Sequence, residues 1–325
     1  MPNPVLNRVA LWGPMTQSSA PFLRIGTRGS PLALWQAREV RAHLAAAHGV
    51  EPDAIVIEVI RTTGDIIQDR PLSEVGGKGL FTKEIEQALL DKAIDLAVHS
   101  CKDMPTVLPA GLKLAACLPR EDARDAFISR KSTSLARLWH GAVIGTASLR
   151  RQAMVKRLRP DISVVTFRGN VDTRLKKLDD GVVDATLLAL AGLKRLGRES
   201  AATAVLEVDA FLPAVGQGAI GIEVREADTR ALDLLDRINH PETLAALCAE
   251  RAFLAVLDGS CRTPVAGHAW IEGGAILFRG LILRPDGSEA HETARTGAVL
   301  DAVKLGADAG HELKSKAAPD FFAVG

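Results

Sequence analysis

The 325-residue chain contains no tyrosine, and phenylalanine and tryptophan together make an aromatic share of only 4%. That scarcity removes the stacking platform on which single-stranded nucleic acids are bound. Charge offers no substitute. Forty Lys and Arg face 39 Asp and Glu, a formal +1, so no broad basic footprint exists for a phosphate backbone. Apolar runs are short too: the longest, "ATLLALAGL" at 185–193, falls well under the roughly 20 residues of a bilayer-spanning helix. The opening "MPNPVLNRVALWGPMTQSSAP" lacks the basic region and long apolar core of a secretory signal. Cysteines at 101, 117, 248 and 261 form no CxxC pair, and the histidines show no HxH or HxxxH spacing. A disulfide scaffold and a metal site are therefore not expected. What is left is a soluble, cytoplasmic protein with neither a nucleic-acid nor a membrane partner. Its hydrophobic fraction of 47% is ordinary for a globular chain.

Along the chain, the first residues are Pro-rich and aperiodic and read as a disordered leader; Met15 is a possible start, and order is expected from Phe22. "FLRIGT" (22–27) then reads as a strand, followed by a helix with Ser30 as N-cap and Pro31 at its first position. "AIVIEVIR", "AIDLAVHS" and "LKLAACL" read as further strands, and "LFTKEIEQALLDK" as an amphipathic helix. Strand–helix alternation of this length argues for an α/β layer with a mainly parallel sheet. From residue 143 the pattern repeats: "VIGTASLRRQAMVKRLRP" is again a strand ending in Ile-Gly-Thr, a serine and a helix. Two such lobes facing each other make a cleft lined by helix N-termini and strand ends. After "FLPAVGQGAIGIEVRE" (211–226) come two helices, then "TPVAGHAWI", "GAILFRGLIL" and a closing helix, the outline of a small α+β domain.

Chemistry concentrates at the strand ends of the two lobes. Arg28 and Ser30, then Ser100, Lys102 and Asp103, follow strands of the first lobe. Thr146, Ser148, Arg150, Arg151, Arg168 and Arg174 follow strands of the second. Guanidinium forks match carboxylates bidentately, and helix dipoles add to the field. With each charge-assisted hydrogen bond worth roughly 1.5–3 kcal/mol, so many arginines suit a ligand with several carboxylates. Any one arginine of the 150–159 run also fits a merely solvated helix face. Gly76, Gly77, Lys78 and Gly79 in "EVGGKGLFTKE" fail the phosphate-loop spacing and read as a flap or a plain flexible loop. Asp103 reads as a turn cap or as a carboxylate that stabilises a developing cation. Cys261, in "LDGSCRTPVAG", sits among turn residues where a thiol can face outward.

From about residue 22 to its end, the chain resembles the porphobilinogen deaminase (hydroxymethylbilane synthase) family. The motifs are "RIGTRGSPLALWQA", "VGGKGLF", "AVHSCKDMP", "REDARDAFIS", "IGTASLRRQ", "FRGNVDTRL", "LAGLKRLG", "LPAVGQGAIGIE" and "DGSCRTPVAG". The resemblance implies an α/β fold of two periplasmic-binding-protein-like lobes around a cleft, plus a small α+β C-terminal domain. It places lobe 1 at 22–118 and 214–238, lobe 2 at 119–213 and the C-terminal domain at 239–325, after a leader at 1–21. The implied enzyme is a transferase of tetrapyrrole biosynthesis that joins four porphobilinogens head to tail with loss of ammonia. Its dipyrromethane cofactor would be a thioether on Cys261, and Asp103 would be the catalytic acid. The same resemblance assigns Lys102, Thr146, Ser148, Arg150, Arg151, Arg168 and Asp103 to the cofactor. Arg28, Ser30, Ser100, Arg168, Arg174 and Arg195 fall to the substrate, and the expected state is a monomer.

Three positions depart from the family's usual pattern. Cys101 stands where many relatives carry methionine, Ala147 where a hydroxyl is frequent, and the leader has no counterpart. Two other functions fit parts of the sequence. A bilobal organic-anion receptor without catalysis would need no thiol, and a cysteine-nucleophile hydrolase would need a histidine near it, for which His268 is the nearest in sequence.

Overall fold

The computed structural model describes residues 21–66, 79–257 and 263–322. Residues 1–20 of the expected leader, the flap residues Gly76, Gly77 and Lys78, and Cys261 lie outside the described residues.

Lobe 1 is built on five strands, β1 (Leu23–Thr27), β2 (Ile55–Val59), β3 (Leu96–Ser100), β4 (Leu112–Cys117) and β10 (Ile220–Arg225), in the order β2-β1-β3-β10-β4. Its helices are α1 (Pro31–His48), α2 (Thr63–Ile66), α3 (Lys83–Leu90) and α7 (Thr229–Asp236). The signals that start and stop α1 are local. The Ser30 hydroxyl accepts from the Ala33 amide at 3.3 Å, Pro31 opens the helix, and Gly49 at φ 63° closes it in the left-handed region. Its Ala37, Val40 and Leu44 then pack under Leu23, Ile25 and Val98 of the sheet.

Lobe 2 repeats the plan with β5 (Asp125–Ser129), β6 (Val143–Gly145), β7 (Ser163–Val165), β8 (Ala185–Ala189) and β9 (Ala204–Leu206), ordered β7-β6-β8-β5-β9. Its helices are α4 (Leu149–Leu158), α5 (Val171–Asp179) and α6 (Leu190–Arg195). In both lobes four of the five strands run in the same direction and the fourth in order is reversed: β10 runs antiparallel to β3 and β4, and β5 antiparallel to β8 and β9. Each sheet is thus mainly parallel, as expected, with one reversed strand that the local pattern did not announce. The chain crosses between the lobes, at 118–124 and 207–219, and re-enters each sheet from the opposite end.

The C-terminal domain is an antiparallel sheet, β11 (Val265–Glu272), β12 (Ala275–Leu283) and β13 (Ala290–Ala298), covered by α8 (Pro241–Val256) and α9 (Ala302–Lys316). Phe253, Phe278, Leu305 and Leu313 form its core, while Ala266, Leu281 and Leu283 join the core of lobe 2. A single carboxylate ties the domain to both crossings. Glu250 of α8, fully buried, pairs with Arg120 at 2.5 Å and accepts from the Gly216 amide at 2.6 Å and the Ala269 amide at 2.8 Å. Such an ion pair stays charged because every lone pair facing it finds a donor.

Candidate functional site

In lobe 1, β3 ends at Ser100, whose hydroxyl exchanges hydrogen bonds with the Gln36 side chain of α1 at 2.8 and 3.1 Å. The chain then tightens into a 3-10 turn, Cys101–Asp103, anchored by the Cys101 amide donating to the Ala219 carbonyl at 3.1 Å. The turn projects Lys102 and Asp103 away from a buried patch formed by Cys101, Met104, Cys117 and Leu247. Burial pushes the Lys102 ammonium down to about 8; Asp103 works against that shift, while the charges of Arg151 and Arg174 add to it. Asp103 is half-buried and has no hydrogen bond or ion pair to another described residue. The first strand of the lobe delivers Arg28, with its guanidinium carbon 4.1 Å from the centre of the Phe81 ring. Ser30 is engaged as the α1 cap.

In lobe 2 the strand β6 leads through Thr146 to Ser148. Thr146 is buried and closes the β6–β7 connection in both directions. Its amide donates to the Val165 carbonyl and its carbonyl accepts from the Phe167 amide. Ser148 caps α4 by accepting from the Arg151 amide at 3.4 Å. Gly145 is required by close approach: a Cβ there would lie 2.5 Å from Cγ of Phe167. Arg168 follows that phenylalanine. Arg174 on α5 donates from Nε to the Gly169 carbonyl at 2.7 Å. The Arg174 guanidinium is lowered to about 10, chiefly by desolvation with help from the charges of Arg151 and Arg168, while Asp103 of the facing lobe opposes the shift.

Lys102, Asp103, Arg151, Arg168 and Arg174 therefore lie in one another's electrostatic field, across the space between the lobes. The remaining candidates stand differently. Arg150 turns inward and is almost completely buried: it donates to the Leu212 carbonyl at 2.7 Å and to Asp125 at 2.6 Å, and lies 5.6 Å from the Phe211 ring. The expected open fork is thus closed by an internal carboxylate, and the solvated-face reading fails for Arg150 and Arg151, while Arg157 farther along the helix is exposed. Arg195, also buried, reaches from α6 to the Gly218 carbonyl at 2.6 Å and sits 5.7 Å from the Trp35 ring of α1. It acts as a bond between lobes. Gly79 takes φ 81° and lies at the edge of the described residues. His268 is stacked on Trp270, 5.6 Å between centres, with Nδ1 3.6 Å from Glu250, a structural arrangement.

Sequence reasoning assigned no role to Asp125, Gln217, Arg120 or Glu250, which hold the site from behind. The motifs "LPREDARDAFIS" and "AVGQGAI" carry three of them, and the only available signal was a charged or amide residue amid apolar ones. Among the described residues no group of three or more His, Cys, Asp or Glu is arranged to hold a metal, and no helix is long and apolar enough to cross a membrane.

A cationic set from two lobes around a carboxylate that pairs with no other described residue fits a ligand with several carboxylates and weakly acidic N–H groups. Comparison with known proteins points the same way. Residues 23–233 match the family described as porphobilinogen deaminase, dipyromethane cofactor binding domain, and residues 244–315 match the porphobilinogen deaminase C-terminal domain. Curated porphobilinogen deaminases from Nitrobacter winogradskyi and Nitrobacter hamburgensis are each 62% identical over 300 residues, 92% of this chain and 95% of theirs. A periplasmic substrate-binding protein of an ABC transporter from Coxiella burnetii aligns with a TM-score of 0.42 at 17% identity, covering 69% of this chain and 94% of that one.

Proposed function

The chain belongs to the porphobilinogen deaminase family, and from that premise we propose which of its residues carry the deaminating condensation of four porphobilinogens into hydroxymethylbilane. The enzyme is a transferase of tetrapyrrole and haem biosynthesis. A receptor without catalysis is not favoured, because the family match takes in the cofactor-binding and the C-terminal domains together.

The observation that carries the assignment is Asp103: a carboxylate without a hydrogen-bonded partner among the described residues, facing Lys102 and Arg174. When ammonia leaves porphobilinogen with the electrons of the broken C–N bond, positive charge is left on the methylene-pyrrolenine that remains. A fixed carboxylate in a water-poor cleft stabilises such charge better than reorienting water does. Asp103 has that position and is not engaged elsewhere. When bound to Cys261, the dipyrromethane supplies the pyrrole end from which the product grows. Lys102, Thr146, Ser148, Arg151 and Arg168 would hold its carboxylates. Arg28, Ser30, Ser100, Arg168 and Arg174 would orient the incoming substrate. Arg150 backs Arg151 from inside lobe 2, and Arg195 holds the lobes together. Since one site serves every addition, the lobes must yield as the chain lengthens, and the crossing segments are where they hinge.

We place the domain limits near residues 118, 213 and 238, and take the enzyme to act as a cytoplasmic monomer. The unbridged thiols of Cys101, Cys117 and Cys248 support a reducing compartment.

Intact-protein mass spectrometry tests the assignment. The purified enzyme should exceed its sequence mass by one dipyrromethane, located on the Cys261 peptide. The increment should survive dithiothreitol, which reduces a disulfide but not a thioether. Cys261→Ser should fold and stay inactive, an alcohol being the poorer nucleophile. Active enzyme with unmodified Cys261 would falsify the reading.

A further inference from the structure

Asp125 is the first residue of β5 and is completely buried. Its Oδ2 accepts from Arg150 Nη2 at 2.6 Å. Its Oδ1 accepts from Arg151 Nη2 at 2.6 Å, from Arg151 Nε at 3.1 Å and from the Gln217 side-chain amide at 2.9 Å. Burial alone would raise the pKa of this carboxyl, but Arg150 and Arg151 hold it below the ordinary carboxylate range. Two neighbouring cations and one buried anion thus form a fixed unit at the first turn of α4.

The unit is not isolated. Gln217 lies on the second crossing segment, is itself buried, and also donates to the Ala123 carbonyl at 2.7 Å on the first crossing. The Gln217 backbone carbonyl accepts from Arg120 Nε at 2.9 Å, and the Arg120 guanidinium grips Glu250 of α8. One hydrogen-bonded chain therefore runs from the C-terminal domain, through both crossings, to Arg151. Arg151 itself also donates from Nη1 to the Leu187 carbonyl at 3.0 Å. A guanidinium has five N–H donors, so one on each terminal nitrogen is left after these bonds. Lys102 feels the charges of both Arg151 and Asp125, and Arg174 feels that of Arg151.

We propose that Asp125, tied to the crossings by Gln217, is a positioning residue that fixes Arg151 for carboxylate binding and keeps it fixed while the lobes hinge. The inference rests on the reading of the cleft as the porphobilinogen site. Asp125 does not touch the ligand; it acts through Arg151. A hydrogen bond made equally to bound substrate and to the transition state appears in KM rather than in kcat. Losing one charge-assisted contact of this kind amounts to about tenfold or more.

The experiment is steady-state kinetics of porphobilinogen consumption by Asp125→Asn, Arg151→Lys and the double variant, on protein whose dipyrromethane content is fixed by mass spectrometry. Asp125→Asn should raise KM about tenfold with kcat little changed. On the Arg151→Lys background the same substitution should add little, because the group it positions is already altered. Full additivity of the two effects on KM, or a wild-type KM in Asp125→Asn, overturns the proposal. If Asp125→Asn does not yield folded protein, Gln217→Met keeps the buried ion cluster and removes only its link to the crossings. A smaller KM rise, again absent on the Arg151→Lys background, supports the proposal, and an unchanged KM overturns it. Wild-type protein that lacks the cofactor mass or releases no ammonia refutes the functional reading instead, so the two failures are distinguishable.

Discussion

Lobe 1 and lobe 2 share one strand order around an Ile-Gly-Thr strand, yet they finish equivalent strands in different chemistry. In lobe 1, β3 runs out into a short 3-10 turn that presents Lys102 and Asp103. In lobe 2 the corresponding strand, β8, passes directly into α6 through Leu190 and Ala191, both buried. The contrast reverses at the capped helices. Lobe 1 opens α1 with Pro31 and Leu32, whereas lobe 2 opens α4 with Arg150 and Arg151 locked on Asp125. One fold plan thus yields a half proposed as reactive, whose Asp103 carboxylate bonds to no other described residue, and a gripping half, whose cations are held by internal bonds. Catalysis wants a group that changes partners during the reaction, and binding wants groups that do not move.

The division predicts its largest effect at Asp103. Asp103→Asn keeps the size of a side chain that bonds to no other described residue, so stability should fall by at most about 1 kcal/mol. Turnover should fall by orders of magnitude, since each 1.36 kcal/mol of lost transition-state stabilisation is roughly tenfold in rate. Asp103→Glu, which retains the charge, should lie between. The check is ammonia release and hydroxymethylbilane formation by protein confirmed to carry the cofactor. Near-wild-type turnover in the Asn variant would remove Asp103 from the mechanism and erase the difference between the halves.

Much of this division was legible in the sequence. The repeated strand–serine–helix openings mark both lobes, Ser30 and Pro31 mark the start of α1, and the residues "HSCKDMP" mark the reactive turn. Other features were hidden for physical reasons. The antiparallel insertion of β10 and β5 depends on where the chain crosses between lobes, which no local period records. Strand β13, "AHETARTGA", is a polar edge strand without the apolar alternation that signals a half-buried one. The inward turn of Arg150 follows from Asp125, 25 residues away in sequence. A lone acid at that distance from a basic helix gives no sign of pairing until the sheet brings them together.

A smaller effect separates the two glycines of the repeated Ile-Gly-Thr. A Cβ at Gly26 would meet the tip of the Ile94 side chain at 2.3 Å, and that terminal methyl can rotate away. A Cβ at Gly145 would meet the Phe167 ring at its root, 2.5 Å from Cγ and 2.8 Å from Cβ, where only a backbone shift gives relief. Overpacking typically costs about 1–3 kcal/mol; Gly26→Ala should fall at the low end and Gly145→Ala at the high end. Because Arg168 follows Phe167, Gly145→Ala should also raise KM, and Gly26→Ala should not. Thermal unfolding with kinetics on both variants checks the order, and equal losses would mean the two openings are mechanically alike.

The smallest effect concerns charge. The cations of lobe 2 are arginines, and even Arg174, the one lowered to about 10, stays protonated at neutral pH. Lobe 1 contributes Lys102, which titrates near 8 in the folded protein against an ordinary value of 10.5. Its pKa is depressed, so between about pH 8 and 10.5 the unfolded chain binds the proton more tightly than the folded one. Stability from this group therefore rises as pH rises through that window. Anion affinity moves the other way, because the ammonium that attracts carboxylate is lost. In apoprotein, then, the melting temperature of wild type relative to Lys102→Met should climb from pH 8 to pH 10. Over the same range its affinity for a small polycarboxylate should drop by about tenfold at most, the worth of one charge-assisted contact. Below about pH 9, where Arg174 of lobe 2 still keeps its charge, Lys102→Met should show neither trend and its residual affinity should stay constant. A pH-independent affinity in wild type would show that the lysine of the reactive half takes no part in holding the anion, and the grip would then belong to lobe 2 alone.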